Sequence, residues 1–237
     1  MLGDGDRIAR FLLQEVTRAV GEFALIDEGD RVAVAVSGGK DSRALLDLLL
    51  RHRRRAPHYY DVIALHVVGT EAGLPDLRPD LEPWFEGLNV DYRFLPLALP
   101  PDEPLPLNCF RCSWNRRKTL FTAAVDLGCR KLALGHHADD AAVTTLMNLV
   151  FNGRLETMKP RVVFFEDAVT VIRPLIYLPE KELLRYARAA EYLDRPPCPW
   201  ETESKRTQIE AFLRQLGRQQ EQVRNNLWRV AREAMGF

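Results

Sequence analysis

Apolar positions recur along the chain with two different periods, and their alternation predicts the architecture. Over 6–20, DRIARFLLQEVTRAV sets Ile8, Phe11, Leu12, Val16 and Val20 at helical spacing on one face, with charged residues largely on the other. RVAVAV (31–36) is a short unbroken apolar run rich in β-branched residues that stops at a glycine pair, as a strand buried on both faces does. SGGKDSRALLDLLLRH follows as turn and helix, then DVIALHVV (61–68) as strand, PDLEPWFEGLN (79–89) as helix and VDYRFLPL (90–97) as strand. NRRKTLFTAAVDLG (115–128) reads as helix, KLALGHH as strand and DDAAVTTLMNLVF as helix. Strands separated by helices make βαβ units, and right-handed crossovers turn these into an α/β domain with a doubly wound parallel sheet.

After Gly153 the pattern changes. RVVFF (161–165) and AVTVIRPL (168–175) flank Glu166 and Asp167 as a strand pair, and PEKELLRYARAAEYL is a helix opened by Pro179. RPPCPW is an extended connector, because its prolines cannot share a helix, and two helices over about 204–216 and 219–234 close the chain. This divides the chain into an α/β domain over 1–195 and a small helical extension over 196–237. The proline-rich stretch LPPDEPLPLN (99–108) is the candidate mobile loop.

The chain has 237 residues, 46% of them hydrophobic, with 33 basic and 33 acidic residues. A chain of this length buries a sizeable core without disulfides or a structural metal. No apolar run reaches the roughly 20 residues of a membrane span. MLGDGDRIAR is acidic and helical where a signal peptide is basic and then apolar, so the expectation is a cytoplasmic protein without a membrane partner. Zero net charge argues against whole-molecule attraction to nucleic acid but leaves room for local basic faces. Arg111, Arg116, Arg117 and Lys118 crowd one such segment, Arg51, Arg53, Arg54 and Arg55 a second. Lys205, Arg206, Arg214, Arg218, Arg224, Arg229 and Arg232 mark the closing helices. These could track RNA phosphates, with Trp114 or Trp200 stacking on a base; a solvated charged face is the plain alternative. Leu227 and Trp228, at helical spacing with Val223 and Val230, read as core.

Three motifs carry chemistry. Ser37-Gly38-Gly39-Lys40-Asp41-Ser42 lies between a buried strand and a helix, where two glycines, unpaired N–H groups, a lysine and two hydroxyls make a phosphate cradle. It lacks the spacing of a Walker A loop. Gly135-His136-His137-Ala138-Asp139-Asp140 ends the fourth core strand, and its histidines and carboxylates could bind metal, relay protons or cap a helix. Cys109 and Cys112 form a C-x-x-C, with Cys198 far downstream. Three thiolates suit a 4Fe-4S cluster with one iron left open, and zinc with three thiolates and a water is the chemical competitor. Cys129, at a helix end, reads as a small core residue.

SGGKDS resembles the PP-loop of the ATP pyrophosphatase superfamily, and GHHADD resembles the GHHxDD motif of PP-loop enzymes that modify tRNA. In order, SGGKDS, CFRCSWNRRKTLF, ALGHHADD, VIRPLIYLPEKELLRYA and the single Cys198 resemble the tRNA 2-thiocytidine synthetase family over roughly residues 10–210. The resemblance implies ATP bound by Ser37, Gly38, Gly39, Lys40, Asp41 and Ser42, with Asp41 helping to position Mg²⁺. His136, His137, Asp139 and Asp140 would line the nucleotide pocket opposite the cradle; Gly135 and His66 are counted with the nucleotide-binding residues. It further implies a 4Fe-4S cluster on Cys109, Cys112 and Cys198, and adenylation of a cytidine carbonyl oxygen that sulfur then displaces. tRNA or another RNA is the expected partner, along with a sulfur donor, either sulfide or a cysteine desulfurase; a homodimer stays open. The alternatives are a PP-loop enzyme handling sulfur on a small molecule or free nucleotide, and a non-catalytic nucleotide-binding iron–sulfur protein.

Overall fold

The computed structural model describes residues 4–192, 204–219 and 222–236; Cys198 and Trp200 lie outside them. Helix α1 (Asp4–Glu22) precedes β1 (Arg31–Ala35), α2 (Lys40–Arg53), β2 (Asp61–Val68), α3 (Arg78–Gly87) and β3 (Asp91–Pro96). Then come α4 (Cys109–Asp126), β4 (Lys131–Ala133), α5 (Ala138–Met147), β5 (Arg161–Phe164), β6 (Val169–Ile172) and α6 (Glu180–Ala189), with α7 (Lys205–Gln219) and α8 (Val223–Met235) last.

The six strands form one sheet in the order β3-β2-β1-β4-β6-β5, parallel except for β5, which pairs antiparallel with β6. Strand period decides which side chain meets which layer. Val32, Val34, Val62 and Ala64 point to the face covered by α1, α2 and α6, whereas Ala33, Ile63, Leu65 and Leu132 point to Phe121, Ala124 and Cys129 on the α4 face. Both faces are therefore buried, which is why these strands read as continuous apolar runs. β1 is the switch point: the chain steps one way to β2 and β3 and the other way to β4 and β6. A crevice opens there at the carboxyl ends of β1 and β4, the place where open parallel sheets take ligands.

Several expectations are corrected in detail. Phe11 is 47% exposed, while Ala9, Leu13 and Ala19 join Leu12, Val16 and Val20 in the core. At 100° per residue Phe11 falls about 140° from the centre of that stripe. Helix α4 begins at Cys109 rather than 115, because the Asn108 side chain accepts the Arg111 N–H at 2.9 Å and caps it there. Helix α5 gives way to a π-turn over Asn148–Asn152, closed by Gly153 at φ 63°, instead of running on as α-helix. The proline-rich loop is tied to α4: Arg111 donates from Nε to Glu103 at 2.7 Å, and Leu107 is buried. Cys129 is buried in the core, where burial pushes its thiol pKa up.

The closing helices pack on α5, with Ile209 and Leu213 against Val143, and Val223 and Leu227 beside them. Trp228 sits edge-on to Tyr177 with ring centroids 6.0 Å apart.

Candidate active site

The phosphate loop is built almost entirely from its own six residues. Gly38 has φ +85°, and a Cβ there would stand 2.5 Å from Leu77 Cδ1, so both conformation and space call for glycine. Ser42 is the internal staple: its hydroxyl donates to the Gly39 carbonyl at 2.8 Å, accepts the Ser37 N–H at 3.1 Å and lies 3.2 Å from Ser37 Oγ. The Ser42 hydrogen expected to meet phosphate is thus used to shape the loop. Gly39 takes the N-cap position of α2 with no side-chain cap, so the helix presents its first-turn N–H groups and positive dipole end toward the crevice.

Lys40 Nζ lies 3.1 Å from both Asp41 and Glu180. Burial opposes its charge, yet the two carboxylates outweigh burial and hold the ammonium above its ordinary range. Glu180 is likewise penalised by burial but is held below the ordinary carboxylate range by Lys40.

The second loop leaves β4 against the first. A Cβ on Gly135 would come within 3.2 Å of the backbone at Asp41 and Ser42, so glycine permits the two loops to touch. His137 takes the N-cap position of α5, and its own N–H donates to Asp140 at 2.9 Å. His137 Nε2 stands 3.4 Å from Asp140 and 4.0 Å from Asp41. Asp41, in the crevice wall, has its Oδ1 buried without a hydrogen-bond partner among the described residues, which leaves that oxygen for a ligand to complete. His137 Nδ1 is likewise unpartnered, but it lies on the Asp139 side of the ring, and His137 is not in the crevice wall where it was expected.

Distant side chains hold this second loop in place. Asp140 pairs with Arg206 of α7; burial opposes its ionisation, but His137 and Arg206 keep its carboxyl below the ordinary range. Asp139 accepts the backbone N–H of Glu180 at 2.7 Å, capping α6, and pairs with Arg224 of α8. Asp139 is therefore occupied in joining helices and does not line the crevice. Arg206 and Arg224, read above as candidates for tracking RNA, are engaged with these carboxylates instead. Arg173 Nε lies 3.4 Å from His136 Nδ1. Burial first, and Arg173 second, lower the His136 pKa to about 4, so the ring is neutral at pH 7. Burial and nearby Arg117 lower the Arg173 pKa to about 10.

One cavity of about 710 Å³ joins the two loops to the cysteine pair. Ser37, Gly39, Asp41, Ser42, Gly135, His136 and Asp140 line one end, and Cys109, Cys112, Ser113, Arg116 and Arg117 the other. Cys109 and Cys112, at i and i+3 on the first turn of α4, share the face turned to the cavity. His66 is not in the cavity wall. It is buried on β2, with Nδ1 2.7 Å from the Val36 carbonyl oxygen, and braces the strand end behind the loop. The third expected thiolate, Cys198, is outside the described residues, and the described residues contain no group of three or more metal-ligating side chains. Sequence reasoning missed Glu180, Arg173 and the pairing roles of Arg206 and Arg224. Glu180 and Arg173 fall inside the quoted VIRPLIYLPEKELLRYA, the only signal that could have raised them.

A parallel sheet with these two touching loops at its switch point defines a PP-loop nucleotide-binding enzyme fold. A tRNA-cytidine(32) 2-sulfurtransferase of Bordetella petrii is 35% identical over 226 residues, covering 91% of this chain and 68% of the relative. Its counterpart from Polaromonas sp. is 38% identical over 217 residues, covering 88% and 69%. The chain belongs to the tRNA-cytidine(32) 2-sulfurtransferase family. It spans about 60 to 70% of the length of the curated relatives it matches. No family profile matches it. The solved structure of the U34-tRNA thiolase NcsA from Methanococcus maripaludis with its 4Fe-4S cluster superimposes at a TM-score of 0.76, over 98% of this chain and 80% of that one. At 24% identity that likeness speaks for the fold.

Proposed function

We propose that this chain is an ATP-dependent tRNA sulfurtransferase that adenylates a cytidine carbonyl and replaces its oxygen with sulfur. The observation that carries the reading is the single cavity shared by the phosphate loop and the Cys109–Cys112 face. ATP phosphates fit the uncapped start of α2, with Lys40 as the cation beside it. Asp41 is the carboxylate that would help hold Mg²⁺ on those phosphates, and its unpartnered Oδ1 suits that role.

The base oxygen attacks the α-phosphorus and pyrophosphate departs, so that a poor leaving group becomes AMP. Arg116 and Arg117, at the cysteine end of the cavity, would offset the negative charge of an adenylate that reaches across it. Cys109 and Cys112, with Cys198 as third thiolate, would hold a 4Fe-4S cluster, which when bound supplies sulfur at the iron lacking a protein ligand. Two thiols on one helical face toward the cavity fit that group.

The test uses the chain purified without oxygen, with ATP, Mg²⁺, sulfide and unmodified tRNA. The expected result is thiolated cytidine in step with AMP and pyrophosphate, and about four iron and four sulfide per chain. Thiolation of a free cytidine nucleotide with tRNA ignored would overturn the substrate, and zinc alone after reconstitution would overturn the cluster.

A further inference from the structure

Helix α4 has a second face that the reaction does not use. Phe110 is 72% exposed and Trp114 is 55% exposed, although both are large aromatic side chains. They stand at i and i+4, with Lys118, also exposed, at i+8, so the three form one ridge along the helix. On a helical wheel Arg117 falls between this ridge and the face bearing Cys109, Cys112, Ser113 and Arg116. The ridge therefore runs beside the mouth of the cavity.

Its charge is one-sided. Between Cys109 and Val125 the helix carries Arg111, Arg116, Arg117 and Lys118 and no acidic residue, in a chain whose total charge is zero. Arg111 is paired with Glu103, and Lys118 stands exposed on the ridge. Exposed aromatic rings alternating with cations form the recognition surface of single-stranded nucleic acid, where bases stack and phosphates meet positive charge. A protein partner would be expected to meet an apolar patch with a polar rim of both signs.

We infer that Phe110, Trp114 and Lys118 form a stacking platform for unpaired nucleotides flanking the base that enters the cavity. This rests on the RNA reading above and deepens it, because it names where the rest of the loop is held. Stacking at Phe110 and Trp114 keeps neighbouring bases out of the cavity while Lys118 and Arg117 follow the backbone between them.

The experiment measures binding of unmodified tRNA and of its isolated anticodon stem-loop to the anaerobically reconstituted chain. It compares the wild type with Phe110→Ala/Trp114→Ala and Trp114→Phe, across a salt series, with ATP affinity and iron content as controls. The double variant is expected to bind both RNAs at least about tenfold more weakly, and Trp114→Phe to retain most of the affinity. ATP affinity and iron content should stay unchanged. Ultraviolet cross-linking of bound stem-loop should place an adduct in the peptide carrying 110–118. Wild-type affinity in the double variant, with ATP and iron intact, would overturn the platform while leaving the RNA reading in place. Loss of self-association instead of RNA binding would reassign the ridge to a second copy of the chain and overturn it equally. Absence of salt-dependent tRNA binding by the wild type would remove the RNA reading itself, and the platform with it.

Discussion

The two loops that meet at the sheet's switch point are built by opposite means. The phosphate loop holds its shape through partners three and five residues apart, Ser42 with Gly39 and Ser37. The His136–Asp140 loop is held by Arg173 at 37 residues' separation, Arg206 at 66 and Arg224 at 85. A locally satisfied loop forms wherever its strand and helix form. A loop satisfied from afar is correct only when the whole chain is assembled, so its geometry reports on α6, α7 and α8.

The largest expected effect breaks the local loop from within. Gly38→Val puts a β-branched residue at φ +85° and sets its Cβ against buried Leu77. Strain on the order of 3 kcal/mol converts to roughly a hundredfold loss of ATP affinity if the loop alone carries it. Gly128→Val, at φ +68° with open space and away from the cavity, carries the same conformational strain. Equilibrium dialysis should show ATP affinity lost in the first variant and kept in the second, with both losing stability. Equal ATP affinity in the two would mean that the cradle does not depend on this turn.

Acid should open the second loop before the first. The His136 pKa lies at about 4 in the fold, against its ordinary 6.5, because burial and Arg173 disfavour the imidazolium. The unfolded chain thus binds more protons between these values, and stability falls as pH drops from about 6.5 towards 4. The full span is on the order of 3 kcal/mol. Denaturant titrations at pH 7.5 and 5 should show this slope; Arg173→Gln should lessen it by removing the neighbouring cation, while the larger part, due to burial, stays. A slope that His136→Gln leaves intact would assign the acid limb to other groups.

A smaller effect comes from cutting one distant tie. Arg224→Ala leaves Asp139 with the Glu180 N–H but without its ion partner. The arginine is 39% exposed, so water recovers much of the loss and about 1 kcal/mol is expected. That corresponds to a melting temperature lower by about 2–4 °C for a chain of this size. A change within error would mean that α8 is positioned by its packing on α5 alone.

This contrast also explains what could be read before folding. Periodicity located β1, β2 and β3 to within a residue or two, and the β5–β6 strand pair, because buried strands and short turns are written in neighbouring residues. The SGGKDS loop was legible for the same reason. The start of α4 was placed six residues late because its cap, Asn108, sits in a proline-rich stretch that reads as loop. His66 is counted with the nucleotide-binding residues in the sequence reading; its bond to the Val36 carbonyl, 30 residues away, is a tertiary fact. The destination of Asp139 was hidden likewise, since nothing beside it in sequence announces Glu180 or Arg224.

Lys40 carries the local loop furthest along the chain among the ion pairs described. Its ammonium lies 3.1 Å from Asp41, its neighbour, and 3.1 Å from Glu180, 140 residues on. Glu180 in turn lies 3.6 Å from Arg224, so the cradle lysine and the distant ties share one carboxylate. A bound phosphate must draw Lys40 from Glu180, and a half-exposed pair of this kind is worth only about 0.2–1 kcal/mol. Glu180→Gln removes that competition and should tighten ATP binding by no more than about fivefold, with the melting temperature nearly unchanged. A weaker ATP affinity in Glu180→Gln would give the opposite lesson. Glu180 would then be aiming Lys40 at the phosphates, and even the phosphate loop would owe its working geometry to the far end of the chain.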